Sequence, residues 1–342
     1  MGHSVRPVSR PLVRGVVRSI AGTGSSAAPP TIISQTLLAD GVTIRCVGSV
    51  PLTTGDAVGL TRSVGTITSA SVVGGNLDIV IPKAYAGDSI GTLTYDGTGT
   101  LAGATGAVAA FGPVAITNSA TAWTPAELQG IVDYMVWSDL TRLFQNSDGT
   151  GAVASVDDPI GYMRGQLDVL TYRQATAGNK PKLAAAGIDF VGNGAVRALD
   201  STTQYGLNNS LTIAGQWNSV SSDQSQFAIR IAGTGSEWSF AQSSGAYRIY
   251  HRGATTQIAT KPSAGTHILT GTPTAATAYK DGVSLGAITA GTGTNTSTLN
   301  RIQSGGNGND SRVGKAWIFC HGAGADIDAT EEARLRAWMA AQ

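Results

Sequence analysis

The sequence predicts a mainly β protein, and three observations support this fold class. Apolar and polar residues alternate in short runs, such as the run Leu77-Asp-Ile-Val-Ile81. Tight-turn pairs such as Asp281-Gly282 separate these runs, because such pairs readily take positive φ at both turn positions. Glycine contributes 45 of 342 residues and charged residues only 13%. Short strands joined by turns of small residues account for that composition.

The chain is long enough for two domains, and the first predicted domain spans residues 31–118. Strand-like runs at 42–47, 67–73 and 77–81 lie there, with Gly74-Gly75-Asn76 as a hairpin turn between the last two. Turn signals every ~8–12 residues predict a small immunoglobulin-like sandwich. The runs at 93–99 and 108–118 are similar to bacterial and phage Ig-like repeats, and such a module is usually a spacer.

A connecting helix is expected in residues 119–140. Thr124 can cap this helix, Pro125 suits its first position and Glu127 completes a capping box. The apolar residues that follow recur at helical spacing: Leu128, Ile131, Val132 and Met135. The pattern predicts a helix over about residues 125–138 that packs within the molecule, with a subunit contact as the alternative.

A short helix is also predicted at the C terminus. Asp328 is its expected cap, and Glu331 follows three residues later as in a capping box. The residues expected to face inward are Leu335, Trp338 and Met339.

Residues 1–30 are predicted to be a basic N-terminal arm and linker. Four arginines recur in it at intervals of four residues: Arg6, Arg10, Arg14 and Arg18. A helix beginning near Pro11 would align three of them, whereas Pro7 and Gly15 favour an extended arm. The predicted role is docking onto an acidic partner surface. A solvated tail and nucleic-acid contact are the alternatives, and the arm offers no aromatic residue for base stacking.

The remaining residues, 141–342, carry several marks in a set order. An Asn-Ser-Asp-Gly turn at 146–149 precedes an Asp-Pro-Ile-Gly element at 158–161 and an Asp-Phe-Val-Gly strand at 189–192. The Asp-Gly hairpin, a strand ending at Phe319 and the terminal helix follow. In this order the marks resemble the laminin-G/concanavalin-A-like jelly-roll family, in the version found in bacteriophage virion proteins. The resemblance implies a second β-sandwich that presents a binding surface and no reaction centre.

Composition argues against several classes of partner. A net charge of +1 creates no field that would attract nucleic acid. No apolar run reaches the roughly 18 residues that span a bilayer, and Arg14 and Arg18 interrupt any signal-peptide core. Cys46 and Cys320 fall in different predicted domains and are expected to be free thiols. The expected localisation is the virion, reached by assembly in the host cytoplasm.

Catalytic motifs are weak in this sequence. A glycoside hydrolase needs two carboxylates that flank the sugar bond, yet Glu237 has no acidic neighbour within five residues. Ser284 lies in a G-x-S-x-G pattern, but in a hairpin strand and not at a strand-to-helix elbow. The four histidines lack zinc-site spacing. We predict no catalytic, cofactor or metal residue, with calcium in the loops at 146–148 or 307–310 as the alternative.

Three aromatic residues are candidate glycan contacts: Trp238, Tyr247 and Tyr250. Their rings could stack on a sugar, whereas core packing is the favoured interpretation for Trp217 and Trp238. Strand alternation places Tyr247 with Ile249 on one face and Tyr250 on the other. Sequence alone leaves open which face is buried.

These features predict a non-enzymatic virion structural protein of a tailed bacteriophage. The expected role is a tail fibre or similar surface appendage, anchored by the N-terminal arm. The alternatives are a capsid decoration protein and a carbohydrate-binding adhesin. Expected partners are other virion proteins of the tail or capsid, further copies of this chain and a host surface glycan. Neither nucleic acid nor membrane is expected.

Overall fold

The computed structural model describes two compact units, Met1–Ala122 and Trp123–Gln342. The described residues are 27–128, 130–131, 133–185, 187–190, 198–201, 211–217, 227–232, 238–243, 246–251, 254–258, 265–272, 274–289, 291, 299–304, 312–320 and 327–342. Strands dominate both units, so the predicted mainly β fold of the sandwich type is confirmed. No helix among these residues is long and apolar enough to span a bilayer.

The first unit consists of short strands. They are β1 (Ile32–Leu37), β2 (Thr43–Gly48), β3 (Leu52–Thr54), β4 (Leu60–Arg62), β5 (Ser69–Val73), β6 (Asn76–Val80), β7 (Thr92–Tyr95), β8 (Ala102–Gly103), β9 (Gly106–Ala107), β10 (Phe111–Ala115) and β11 (Thr117–Asn118). One sheet has the order β11-β1-β2-β6-β5, a second β10-β7-β4 and a third β3-β8-β9. The hairpin between β5 and β6 turns at Gly74 and Gly75, with φ of 58° and 83°, as predicted.

Alternation along these strands creates a single apolar core in the first unit. Ile44 and Cys46 of β2 and Leu77 and Ile79 of β6 are completely buried, while the residues between them are more exposed. Burial raises the pKa of the Cys46 thiol to about 12. Cys46 is therefore a free, protonated thiol, as the sequence predicts. The side chain of Cys320 lies outside the described part of the chain.

The second unit contains the longer strands and the α-helix. Its elements are β12 (Leu143–Phe144), β13 (Tyr162–Arg164), β14 (Thr171–Arg173), β15 (Lys182–Ala184), β16 (Gly187–Asp189), β17 (Ala198–Ser201), β18 (Leu211–Trp217), β19 (Phe227–Ala232), β20 (Trp238–Ser243), β21 (Ala246–His251), β22 (Ala254–Ile258), β23 (Gly265–Gly271), β24 (Ala276–Lys280), β25 (Val283–Ile288), β26 (Leu299–Ser304), β27 (Arg312–Cys320) and α1 (Ala329–Ala341). Two large sheets have the orders β12-β13-β14-β17-β26-β19 and β15-β16-β27-β18-β23-β24-β25. A smaller sheet has the order β20-β21-β22.

The helix predicted to connect the domains is not formed, so that prediction is wrong. Only Pro125–Glu127 makes a 3-10 turn, and the side chain of Thr124 does not cap it. Leu128 is already extended, and Gly130 has a φ of 70°. The carbonyl of Tyr134 accepts from the backbone N–H of Gln166 at 2.8 Å, a partner far along the chain. Pairing with this distant segment replaces the helical hydrogen bonds that the local pattern suggested.

A buried carboxylate explains this extended path. Asp133 is completely buried, and its two oxygens accept hydrogen bonds from four backbone N–H groups. These donors are Tyr134 and Leu167 at 2.8 Å, Val169 at 2.9 Å and Leu170 at 2.6 Å. Gly165 leaves room for the carboxylate, since a Cβ there would lie 2.0 Å from Oδ2 of Asp133. Asp133 thus joins the segment before β12 to the loop between β13 and β14.

The C-terminal helix and the second hairpin follow the sequence prediction. Asp328 accepts from the N–H of Glu331, and the Glu331 side chain reaches back to the Asp328 N–H, which completes the capping box. Leu335 and Met339 are completely buried. Trp338 is half-buried, and its ring meets that of Tyr134 edge-on at 5.9 Å.

Asp281 and Gly282 form the turn between β24 and β25, with φ of 50° and 82°. Positive φ at both residues is the geometry that this pair favours. A Cβ at Gly282 would lie 2.7 Å from the guanidinium of Arg336, so α1 packs closely on this turn.

Candidate binding surface

The residues predicted to dock the protein onto a partner lie outside the described part of the chain. This applies to Arg6, Arg10, Arg14 and Arg18 of the N-terminal arm. The 307–310 loop and Glu237 also fall outside it. The docking role of the arm therefore stays a prediction.

The three aromatic residues predicted to contact glycans belong to β20 and β21, where the structure describes the backbone. Ile249 of β21 is completely buried. Position 247 lies two residues away on the same face as Ile249, and Tyr250 occupies a position on the opposite face. Trp238 pairs with His251 and so shares the face of Ile249. The register thus separates Tyr250 from Trp238 and Tyr247.

A different set of side chains forms a surface on the six-stranded sheet. Its inner face is closed, because Leu143, Met163, Tyr172, Leu199 and Ser201 are all at most 1% exposed. The alternate residues of the same strands are half-buried or exposed and form the outer face. We call this set the aromatic–arginine face: Phe144, Tyr162, Arg164, Thr171, Arg173 and Asp200.

Strand register arranges the aromatic–arginine face as a row. Phe144 pairs with Tyr162, Tyr162 with Arg173, and Arg173 with Asp200. Arg164 and Thr171 pair beside this row. The backbone register continues the row from Asp200 to positions 301 and 230, both of which are arginines in the sequence.

Ring contacts hold the first three members of the row together. The rings of Phe144 and Tyr162 meet edge-on with their centroids 5.6 Å apart. The guanidinium of Arg173 lies 5.1 Å from the centroid of the Tyr162 ring, a cation–π distance worth about 0.5–1 kcal/mol at an exposed site. The two rings and the cation therefore lie next to one another on the same face of the sheet.

The turn at 146–150 lies beside Tyr162. Gly149 has a φ of 84°, and a Cβ there would be 3.7 Å from the Tyr162 ring carbons, an ordinary contact. Oδ1 of Asp148 accepts from the backbone N–H and the hydroxyl of Thr150 at 3.0 and 2.7 Å. These hydrogen bonds, led by that from the hydroxyl, lower the pKa of Asp148. Asp148 thus closes the predicted turn.

The arginines of this region differ in whether a carboxylate forms an ion pair with them. Asp168 accepts from both Arg142 and Arg164, with the Nε of Arg164 at 3.0 Å. Arg173 is exposed and forms no ion pair with another described residue. Its charge is therefore the one left available on the aromatic–arginine face.

The second unit also has an apolar cavity of about 350 Å³, near the lower limit of small-molecule sites. Trp137 contributes to its wall and is 2% exposed, and its indole N–H has no acceptor among the described residues. The remaining lining is mostly aliphatic: Leu140, Ala154, Val156, Leu183, Ala184 and Ala185. Its chemistry would suit a small apolar group.

Among the described residues, the aspartates with clearly shifted pKa values all shift downward. They are Asp40, Asp96, Asp139, Asp148, Asp158 and Asp281. Asp158, from the predicted Asp-Pro-Ile-Gly element, accepts from the N–H groups of Ala154 and Ser155, both at 2.9 Å. A general acid needs the opposite shift, because it must stay protonated near neutral pH.

The described residues also allow the serine motif and the possible metal sites to be examined. Ser284 lies within β25, and its hydroxyl accepts from the N–H of Gly286 at 3.1 Å. A nucleophile elbow would require a helix after the turn, so the serine motif has no catalytic geometry here. No group of three or more His, Cys, Asp or Glu side chains in the described ranges is arranged to hold a metal ion.

Comparison with known proteins gives a fold-level likeness only. No family model and no curated protein matches this chain. Trypanosoma rangeli sialidase in complex with sialic acid matches at 13% identity and a TM-score of 0.41, covering 62% of this chain and 33% of the sialidase. Another structure of that sialidase matches at 15% identity and a TM-score of 0.40, covering 65% of this chain and 34% of the sialidase.

A receptor-binding domain matches at 13% identity and a TM-score of 0.34, covering 50% of each chain. In the two sialidase matches, this chain spans about a third of the length of the sialidase. At such TM-scores these likenesses carry no argument for or against catalysis.

Sequence reasoning missed Phe144, Tyr162 and Arg173 as members of one surface. The three residues lie in β12, β13 and β14, which are separated by the segments 145–161 and 165–170. Alternation in Tyr-Met-Arg at 162–164 and Thr-Tyr-Arg at 171–173 was a usable signal, because each run places a buried apolar residue between two polar ones. The pairing of the strands is visible only in the fold.

Proposed function

We propose that this protein is a non-enzymatic structural protein of a tailed bacteriophage particle, and that it serves as a tail fibre or similar surface appendage. In this proposal the basic arm attaches the chain to the particle. The first unit is a spacer, and the second unit displays a binding surface. A capsid decoration protein with the same parts is the alternative location.

The non-enzymatic part of the proposal rests on one observation: several described carboxylates accept hydrogen bonds from backbone N–H groups. Asp133 is saturated by four backbone N–H groups. Asp148 and Asp158 close turns, and Asp281 accepts from the backbone N–H of Thr266 at 2.8 Å. A glycosidase instead needs two carboxylates free to face the same sugar bond. Acidic groups committed to backbone hydrogen bonds favour a scaffold over a reaction centre.

The modular order supports the phage assignment. Two separate β-rich units follow a basic leader, and the sequence of the second unit resembles jelly-roll domains of phage virion proteins. A particle protein needs an attachment segment, a spacer and a displayed domain.

Deletion of residues 1–28 tests the attachment role of the arm. We expect the shortened protein to fold but to be absent from purified particles. A matched variant with the four arginines replaced by glutamine should behave in the same way, because charge is the proposed means of docking. Retention of either protein on particles would contradict the proposal for the arm.

Immunogold labelling of intact particles separates the two locations. A few labels at one pole indicate an appendage, whereas labels over the whole shell indicate decoration. Release of reducing sugar from host polysaccharide by the purified protein would contradict the non-enzymatic assignment.

A further inference from the structure

We propose that the aromatic–arginine face of the second unit binds a carboxylated saccharide. Arg173 would hold the carboxylate, and the rings of Phe144 and Tyr162 would contact the sugar ring. The inference rests on the proposed function only in treating this unit as a displayed surface that does not hydrolyse its ligand.

The position of the row means that side chains, and not backbone groups, must recognise the ligand. β13 and β14 are paired on both sides, so the backbone N–H and C=O groups beneath Tyr162 and Arg173 belong to the sheet ladder. An extended peptide that adds a strand would need a free sheet edge. A ligand lying across the face meets aromatic planes, a guanidinium and the polar groups of Thr171 and Asp200.

Arg173 has the properties of an anion-binding group. Its guanidinium lies 5.1 Å from the centroid of the Tyr162 ring, and the residue is exposed to solvent. A carboxylate can accept two parallel N–H bonds from the edge of a guanidinium. Two other described arginines, by contrast, are each held by a carboxylate. Arg45 is held by both oxygens of Asp78 at 2.8 and 2.7 Å, and Arg164 is held by Asp168.

Aromatic groups beside the cation favour a saccharide over an inorganic anion. The Phe144 and Tyr162 rings are half-buried, so each presents part of its apolar surface to solvent. The C–H groups of a pyranose match such a surface.

Binding of galacturonate oligosaccharides to the full-length protein tests the proposal. Isothermal titration would compare trigalacturonate with the neutral trisaccharide of galactose and with a single-stranded oligodeoxynucleotide. We expect binding of trigalacturonate alone. The Arg173→Gln variant should weaken it by about tenfold or more, since a charge-assisted hydrogen bond is lost. Tyr162→Leu should weaken it less, because the apolar bulk remains.

Lys83 of the first unit provides a matched control. Its ammonium lies 5.3 Å from the ring centroid of Tyr85, so Lys83→Gln removes a comparable stacked cation far along the chain. This variant should bind trigalacturonate as the wild type does. Circular dichroism would verify that all variants are folded.

Three results would overturn the inference. They are absence of trigalacturonate binding, equal binding by the Arg173→Gln variant, and equal affinity for the neutral sugar or the oligonucleotide. An Arg173→Gln protein that still incorporates into particles leaves the proposed function intact, so the two hypotheses fail separately.

Discussion

The two units of this protein bury polar groups in very different ways. Among the described residues, the first unit buries one polar side chain, Gln35. The second unit buries seven: Asp133, Ser201, Thr212, Thr266, His267, Thr270 and Glu332. An apolar core depends on pattern and volume, whereas buried polar groups depend on specific partners. The first unit is therefore organised by alternation along its strands, and the second by contacts between distant segments.

Tryptophan offers a natural way to examine the units separately. All six tryptophans lie between residues 123 and 338, so the first unit, Met1–Ala122, contains none. Intrinsic tryptophan fluorescence of the full chain thus follows the second unit. Hydrogen exchange of peptides from 32–118 follows the first.

Removal of the buried carboxylate should have the largest effect. We expect Asp133→Ala to lower the free energy of unfolding of the second unit by about 3–5 kcal/mol, because four backbone donors lose their acceptor. Denaturant unfolding followed by tryptophan fluorescence measures this loss. Exchange rates in 32–118 should not change.

Glycine substitutions check that the loss comes from the position of the carboxylate. Gly165→Ala keeps Asp133 but places a Cβ 2.0 Å from its oxygen, so it should also destabilise the second unit. Gly178→Ala is the matched control, since a Cβ there meets nothing within 4 Å. Equal stability of the two alanine variants would contradict the importance of this contact.

Truncation of a core residue in the first unit should lower the free energy of unfolding by as much as Asp133→Ala does in the second unit, or by less. Leu77 is completely buried, and Leu77→Ala is expected to cost about 2–5 kcal/mol through lost burial and a residual cavity. Val80 lies in the same strand and is 37% exposed, so Val80→Ala should cost much less. Hydrogen exchange in 32–118 measures both changes. A shift in the tryptophan transition would show that the units do not unfold independently.

Acid should destabilise the second unit more than the first. Among the described residues, four aspartates with lowered pKa lie in the second unit: Asp139, Asp148, Asp158 and Asp281. Two lie in the first: Asp40 and Asp96. Burial opposes the shift at Asp139, but hydrogen bonds from Thr141 and Gln166 contribute to the net lowering of its pKa.

A lowered pKa in the folded state means that the unfolded chain binds protons more readily. The stabilisation is therefore complete above pH of about 4 and is lost as the pH falls through the folded-state values. Denaturant midpoints measured between pH 7 and 3 should stay level at first and then decline, more steeply by fluorescence than by exchange in 32–118. A decline that begins near pH 6 would contradict this assignment.

The smallest effect is expected for a surface ion pair. Arg45 and Asp78 are cross-strand neighbours joined by two hydrogen bonds, and the Arg45 side chain is 38% exposed. Asp78→Asn should cost less than about 1 kcal/mol, because solvent screens the pair. Hydrogen exchange of peptides from 32–118, followed at low and at high salt, measures this loss of stability. A loss as large as that of Leu77→Ala would mean that the first unit also depends on specific polar contacts.

Local signals account for the features that the sequence predicted correctly. Gly74-Gly75 and Asp281-Gly282 form the expected hairpins, because positive φ at both turn positions is a property of those residues themselves. The helix cap at Asp328 and Glu331 is likewise a contact between residues three apart. The strand-like runs predicted at 42–47 and 77–81 also correspond to β2 and β6.

The residues that sequence reasoning misplaced depend on partners far along the chain. Thr124, Pro125 and Glu127 carry a sound helix-start pattern, yet the chain there is extended beyond one 3-10 turn. The reason is Asp133, whose acceptors reach N–H groups more than thirty residues away. A helical signal worth a few tenths of a kcal/mol per residue cannot compete with a buried, saturated carboxylate.

The composition and turn chemistry of the chain alone determined that it is rich in short strands, where two of its hairpins turn and how its last helix begins. Tertiary structure alone decided which strands are neighbours. It thereby placed Phe144, Tyr162 and Arg173 in one row on the outer face of a sheet. The physical reason is range: turns and caps depend on residues a few positions apart, whereas strand pairing depends on burial shared between segments that only the complete fold brings together.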